Sequence, residues 1–168
     1  MSTSTDFDFS PLEDRCREFF VAEPMPRESR RIFHGRGRCY PGLEWCTLDF
    51  YSPVVLLTVF CVPSEPAFKA LKQRLLALLP AAVSHFVIQR RDLFGAPYEW
   101  CLAEPLARGQ VFAKRGKLSF QLDFNQQNTG YFLDMEPGRQ WLAANAAGAR
   151  VLNLFAYTCA FSVVAIEA

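Results

Sequence analysis

Residues 150–165, RVLNLFAYTCAFSVVA, constrain the fold more than any other stretch of the chain. Val151, Leu152, Leu154 and Phe155 read as a buried strand, Ala156–Cys159 as a tight turn, and Phe161, Val164 and Ala165 as the first turns of a helix. A strand apolar on both faces suits the interior of a parallel sheet. Strand, turn and helix in that order open a doubly wound unit of the kind that binds nucleotides and cofactors. The sequence stops at Ala168, three residues after this pattern, so the unit is expected to be incomplete.

Upstream, Ser10-Pro11-Leu12-Glu13 has the form of a capping box with proline at the first helical position. Leu12, Cys16, Phe19 and Phe20 then share one helical face, which Pro24 and Pro26 terminate. The segment from Arg27 to Pro41 is rich in Arg and Gly and reads as loop, with one short strand around Arg31–His34. Glu44–Tyr51 and Val54–Val62 read as a hairpin turned at Ser52-Pro53. Ser64 caps a helix whose apolar face is Phe68, Leu71, Leu75, Leu78 and Leu79, stopped by Pro80. His85–Gln89 and Tyr98–Ala103 are further strands, which completes a ββαββ-like pattern. Leu118–Phe124 alternates as a half-buried strand, and Asp134 opens a helix running through Trp141 and Leu142 to Gly148. The expected architecture is α/β. A helix and linker occupy 1–29, a small α+β module 30–110, and the start of a Rossmann-like domain 111–168, with the boundary near 105–113.

Composition narrows the class. An apolar fraction of 51% and 16 Phe can fill a core, which argues against a disordered chain. The longest apolar run, Val54–Val62, is interrupted by Thr58 and falls short of the ~18 residues of a membrane span. The acidic opening MSTSTDFDFS does not resemble a secretory leader. The six cysteines form no CxxC pair, so packed reduced thiols and a cytoplasmic location are expected. Net charge is uneven. Residues 27–117 carry 14 Lys/Arg against seven acids, whereas 1–26 carry two against six and 118–168 two against four. That asymmetry either suits a polyanion or reflects interleaved solvated charge.

Three elements now combine: NTGYFLD at Asn128–Asp134, Arg139 shortly after, and VLNLFAYTCAF at Val151–Phe161. Together they resemble the class I S-adenosylmethionine-dependent ribosomal RNA methyltransferases, in particular the large-subunit rRNA cytosine-C5 group. YPGLEWCTLDFY (Tyr40–Tyr51) and the helix ending Leu78–Pro80 resemble the small α+β domain that precedes the catalytic domain in that family. The resemblance spans roughly residues 30–168.

It implies S-adenosylmethionine as cofactor and RNA, ribosomal in the family, as partner. Thr129, Gly130, Tyr131, Phe132, Asp134 and Arg139 would line the cofactor pocket from one side. Asn153, Phe155, Ala156, Tyr157, Thr158 and Cys159 would form the loop beneath the methionine part. Many relatives carry Gly where this chain has Cys159 and Ala160. If the turn needs positive φ there, the departure costs on the order of 1–2 kcal/mol. The family's ribose-binding acid, catalytic loop and nucleophilic cysteine are expected beyond residue 168, so no catalytic residue is assigned.

For the remaining chemistry-bearing residues the expectations are modest. His34 and Cys39 supply too few ligands for a metal site. Arg30, Arg31, Arg36 and Arg38, with Arg27 close by, form a Gly-flexible cluster suited to RNA phosphates, with Phe33 or Tyr40 available for stacking. The competing reading is a solvated structural loop. His85 is expected to be structural, the three tryptophans to be core rather than RNA platforms, and Asp123 to be solvated on the polar side of its strand. The expected function is S-adenosylmethionine-dependent RNA methylation by a chain incomplete and inactive alone. The alternative is a non-catalytic RNA-binding module. The unpaired strand Val151–Phe155 is expected to drive self-association through a sheet edge, or to leave residues 135–168 mobile.

Overall fold

The computed structural model describes residues 7–107 and 109–168; the opening acidic residues 1–6 lie outside it. Its centre is a five-stranded sheet in chain order: β1 (Arg30–His34), β2 (Cys46–Tyr51), β3 (Val54–Val59), β4 (His85–Arg90) and β5 (Tyr98–Trp100). All pairs are antiparallel except β3 and β4, which run parallel and are joined by helix α2, Glu65–Leu78. A parallel pair needs such a crossover, and Ser64 starts it by accepting the Ala67 N–H at 3.2 Å.

The period-two alternation of the strands separates two faces. Cys46, Leu48 and Phe50 of β2, Val55, Leu57 and Val59 of β3, and Phe86 and Ile88 of β4 face one way. Helix α2 covers them together with α1 (Ser10–Ala22), through Leu71, Leu75, Leu12, Cys16 and Phe20. Burial pushes the thiols of Cys16 and Cys46 up to about 11 and about 12, whereas Cys61, whose apolar context also suggested packing, is exposed just after β3 and Cys101 is half-buried. The capping box expected at Ser10 does not form. Phe9 precedes the helix, the Ser10 N–H donates to Asp8, and Glu13 turns inward to Arg17 and Arg74. Glu13 thereby ties α1 to α2 by an ion pair instead of capping its own helix.

Tyr51, Val54, Leu56 and Val87 make an apolar patch on the second face. A hairpin of β6 (Phe112–Arg115) and β7 (Leu118–Gln121) packs on it, with Leu122, Phe124, Tyr131 and Leu133. The linker before β1 holds the hairpin from outside: Ser29 and Lys114 exchange two hydrogen bonds and the Gly116 N–H reaches Glu28. Helices α3 (Glu136–Asn145) and α4 (Ala160–Glu167) follow and pack on each other.

One expected element is corrected. Val151–Phe155 is not a strand: it runs without ladder bonds into turns, with Leu152 81% exposed and Phe155 fully so. A central parallel strand takes its hydrogen-bond partners from neighbours on both sides. Among the described residues none lies beside this segment.

Candidate functional site

The two motif segments meet. Residues 126–130 form a loop after β7, and residues 154–159 form the turn that leads into α4. Tyr157 donates its hydroxyl to the Asn128 carbonyl at 3.2 Å, and Thr158 donates to the Gly130 carbonyl at 2.6 Å. Phe132 and Tyr157 rings lie 5.6 Å apart. Between loop and turn opens a concavity of about 440 Å³ lined by Gln121, Asp123, Asn128, Thr129, Gly130, Tyr157 and Thr158, among others. Gly130 has φ +109, where an L side chain is strained, and a Cβ there would press on the Gln121 carbonyl at 3.2 Å.

The turn itself is strained. Phe155, Tyr157 and Cys159 all adopt left-handed backbone, at φ +57, +50 and +60. Non-glycine residues pay on the order of 1–2 kcal/mol each for that conformation. The condition set from sequence is therefore met at Cys159. Left-handed backbone at Cys159 lets α4 start abruptly, and the Val163 N–H returns to the Cys159 carbonyl at 3.0 Å. The N–H groups of the helix's first turn precede that bond and have no intrahelical acceptor.

The structure distributes the other expected site residues widely. Tyr131 is buried, its ring stacked on Phe120 and its phenol pushed up to about 12 by burial. Arg139 is 1% exposed. Its guanidinium is held by Glu136 at 3.0 Å and the Phe132 carbonyl at 2.7 Å, and it lies 4.1 Å over the Tyr131 ring. It braces the NTGYFLD loop from behind rather than facing the concavity. Asp134 and Cys159 are exposed outside its lining, as is Phe155. Asn153 donates to Ser162 at 2.9 Å and lines a separate concavity of about 340 Å³ with Val151 and Ile166.

In the arginine cluster, Arg31 grips Asp49 with two bonds, at 2.7 and 3.1 Å, and touches His34. Burial raises the Asp49 carboxyl, and Arg31 opposes that shift. Arg30 pairs with Glu23. Arg36 stacks on Phe60 at 4.2 Å, and Arg38 is exposed at φ +56. Phe33 is buried and Tyr40 packs on it, 4.7 Å between rings. Among the described residues no cluster of three metal-ligating side chains occurs.

Sequence reasoning missed the anchoring of the loop. Gln89 donates to the Gln127 carbonyl at 2.7 Å, Arg91 to Asn128 at 2.8 Å and Tyr98 to the Gln126 carbonyl at 3.0 Å. The signal was available at Gln89, a polar residue closing the apolar run Phe86–Ile88.

Residues 30–168 match the sequence model of the S-adenosylmethionine-dependent methyltransferases. The chain belongs to that family. Among its relatives is a ribosomal RNA large subunit methyltransferase from Deinococcus radiodurans, 26% identical over 80% of this chain and 34% of the relative. Another is ribosomal RNA large subunit methyltransferase I from Aeromonas hydrophila, 27% identical over 75% of this chain and 33% of the relative. The chain thus spans about a third of the length of these proteins. The fold is shared with a protein from Streptococcus mutans assigned as a SAM-dependent methyltransferase. The TM-score is 0.75 at 22% identity, over 98% of this chain and 43% of that one. A second structure, assigned as a methyltransferase and solved with SAH, gives a TM-score of 0.72 at 24% identity, over 94% of this chain and 40% of that one.

The residues present suit one end of the family's cofactor. The concavity is lined by amide, hydroxyl and carboxylate groups at Gln121, Asp123, Asn128 and Thr129, and α4 starts two residues after its lining residue Thr158, with first-turn N–H groups of the kind that favour a carboxylate.

Proposed function

We propose that this chain forms the methionine-side half of the S-adenosylmethionine site of an RNA methyltransferase, with ribosomal RNA as its substrate. The observation that carries the reading is the closure of Asn128–Gly130 against Tyr157–Thr158 around one concavity, inside the region matched by the family. Thr129, Gly130, Tyr157 and Thr158 border the cofactor, and the α4 N-terminus meets its carboxylate. Phe132, Asp134, Phe155, Ala156 and Cys159 shape the rim, while Arg139 and Tyr131 fix the loop from behind.

When bound, the cofactor supplies an electrophilic methyl group on sulfur. This chain's residues bind and orient it. The nucleic-acid partner is supported by the names of the relatives and by the basic middle segment. The same reading places the protein in the cytoplasm, consistent with six free cysteines. The apolar side chains of Val151, Leu152 and Leu154 are open to a second copy, so self-association at high concentration is part of the proposal.

Calorimetric titration with S-adenosylmethionine and S-adenosylhomocysteine tests the cofactor reading. Saturable binding that Gly130→Val abolishes is expected. A parent chain with no measurable affinity for either compound would remove the cofactor site from this chain.

A further inference from the structure

The second sheet face is apolar at one end and polar at the other. Beyond Val54 and Leu56, the buried side chains become Thr47, Asp49, Thr58 and Gln89, which floor a narrow cleft of about 70 Å³ roofed by Asn128 and Thr129. Among the described residues these buried polar groups are satisfied within the fold, Asp49 by Arg31 and Gln89 by the Gln127 carbonyl. Phe60 and Arg91 line the cleft, and two guanidiniums lie over the half-buried Phe60 ring: Arg36, from outside the lining, at 4.2 Å and Arg91 at 5.8 Å from its centroid. Nearby carboxylates are committed, Asp49 to Arg31 and Asp92 to Arg90. Asp134 lies near enough to act on Arg31 but does not line the cleft.

From this arrangement we infer that single-stranded RNA reaches the cofactor concavity across the Arg36–Phe60–Arg91 platform. The inference rests on the methyltransferase reading for its choice of RNA. The two guanidiniums over the ring combine phosphate attraction with planar outer faces on which an unpaired base can stack. A duplex keeps its bases stacked inside and offers no such partner. The direction of the path follows from the loop. Asn128 and Thr129 line both the platform's cleft and the cofactor concavity, so the two sites share one wall. Arg91 grips that wall through Asn128 on one side, and Tyr157 grips it on the other. The sequence cluster at Arg30 and Arg31 is displaced from this role by Glu23 and Asp49, and Arg91 and Phe60 take it over.

The test is fluorescence anisotropy of the 168-residue chain with a labelled single-stranded RNA of about 12 nucleotides, a span suited to such a groove, across a salt series. The double variant Arg36→Gln/Arg91→Gln is compared with Arg15→Gln/Arg17→Gln, which removes equal charge from α1. The platform variant is expected to weaken binding at least roughly tenfold and to flatten the salt slope by about 1.4, the value for two single-strand phosphate contacts. The α1 variant is expected to stay within about twofold of the parent.

Equal losses in both variants, no RNA binding by the parent, or equal affinity for a duplex would each overturn the inference. Ultraviolet cross-linking of the parent chain supplies a readout independent of variant folding. The adduct is expected on the peptide containing Phe60, and adducts confined to other peptides would also overturn it. Cofactor titration is a separate measurement, so lost RNA binding with cofactor binding intact overturns this inference alone, whereas loss of cofactor binding overturns the reading on which it rests.

Discussion

Two apolar runs of similar composition end in opposite states. Val54–Val59 is buried at every residue, laddered to β2 on one side and β4 on the other. Val151–Phe155 carries Val, Leu and Phe as well, yet has no ladder, and its apolar side chains are exposed. Apolarity is common to both runs, so neighbours decide between them. β2 arrives through a short turn and β4 through one helix, so β3 finds both partners within about 45 residues of chain. The described residues offer 151–155 none. The first region is a self-sufficient scaffold. The second is a strained, open segment held to the scaffold chiefly by Tyr157, Thr158 and α3.

The sharpest way to break this contrast is to truncate one leucine in each region. Leu57→Ala should cost about 2–5 kcal/mol because it empties a fully buried site. Leu152→Ala should move stability by less than about 0.5 kcal/mol. Urea denaturation followed by circular dichroism measures both. Comparable losses would mean that the second segment is packed after all.

Next in size is Gly35→Ala, at the turn after β1. A Cβ there would fall 1.8 Å from the Leu43 carbonyl oxygen and 2.8 Å from that of Cys46. The backbone must move, at about 3 kcal/mol in thermal or urea unfolding. A neutral result would show the scaffold to be looser than its burial implies.

Cys159→Gly sharpens the comparison from the other side. Removing one left-handed non-glycine residue should release about 1 kcal/mol in the turn. Because φ is already positive without ligand, the gain belongs to free and bound forms alike, so amide exchange at 155–163 should slow while S-adenosylhomocysteine affinity stays within about twofold. A several-fold gain in affinity would show that the turn takes this shape only on binding.

The smallest effect concerns His34. Burial, then Arg31, lower its pKa in the folded state. The unfolded chain therefore binds the proton more readily, and stability contributed by neutral His34 is lost as pH falls through its ordinary value near 6.5. His34→Gln should make the acid limb of a melting-temperature profile shallower. A steeper limb would reverse the assigned sign.

How much of this was legible in the sequence depends on how local the determining contacts are. β2, β3, α2 and β4 follow from alternation, helical spacing and the Ser64 cap, all satisfied within a few residues. The turn before α4 was legible from the motif at Val151–Phe161, whereas positive φ at residue 159 could be posed from sequence only as a condition, which the backbone meets. The strand at 151–155 was misread because a ladder partner cannot be inferred from the run itself. Ser10 was misread because Asp8 competes for its N–H. Arg139 resembles a ligand-binding arginine in sequence, but its burial arises from Tyr131 and Phe132 folding over it. The platform at Phe60 joins positions 36, 60 and 91, which no local pattern connects.

Amide hydrogen exchange with and without saturating S-adenosylhomocysteine tests the central claim most directly. The account predicts that β2, β3 and β4 are protected in both states, and that residues 128–132 and 155–163 become protected together when the ligand binds. Ligand-induced protection elsewhere, or no change in either segment at saturation, would contradict it.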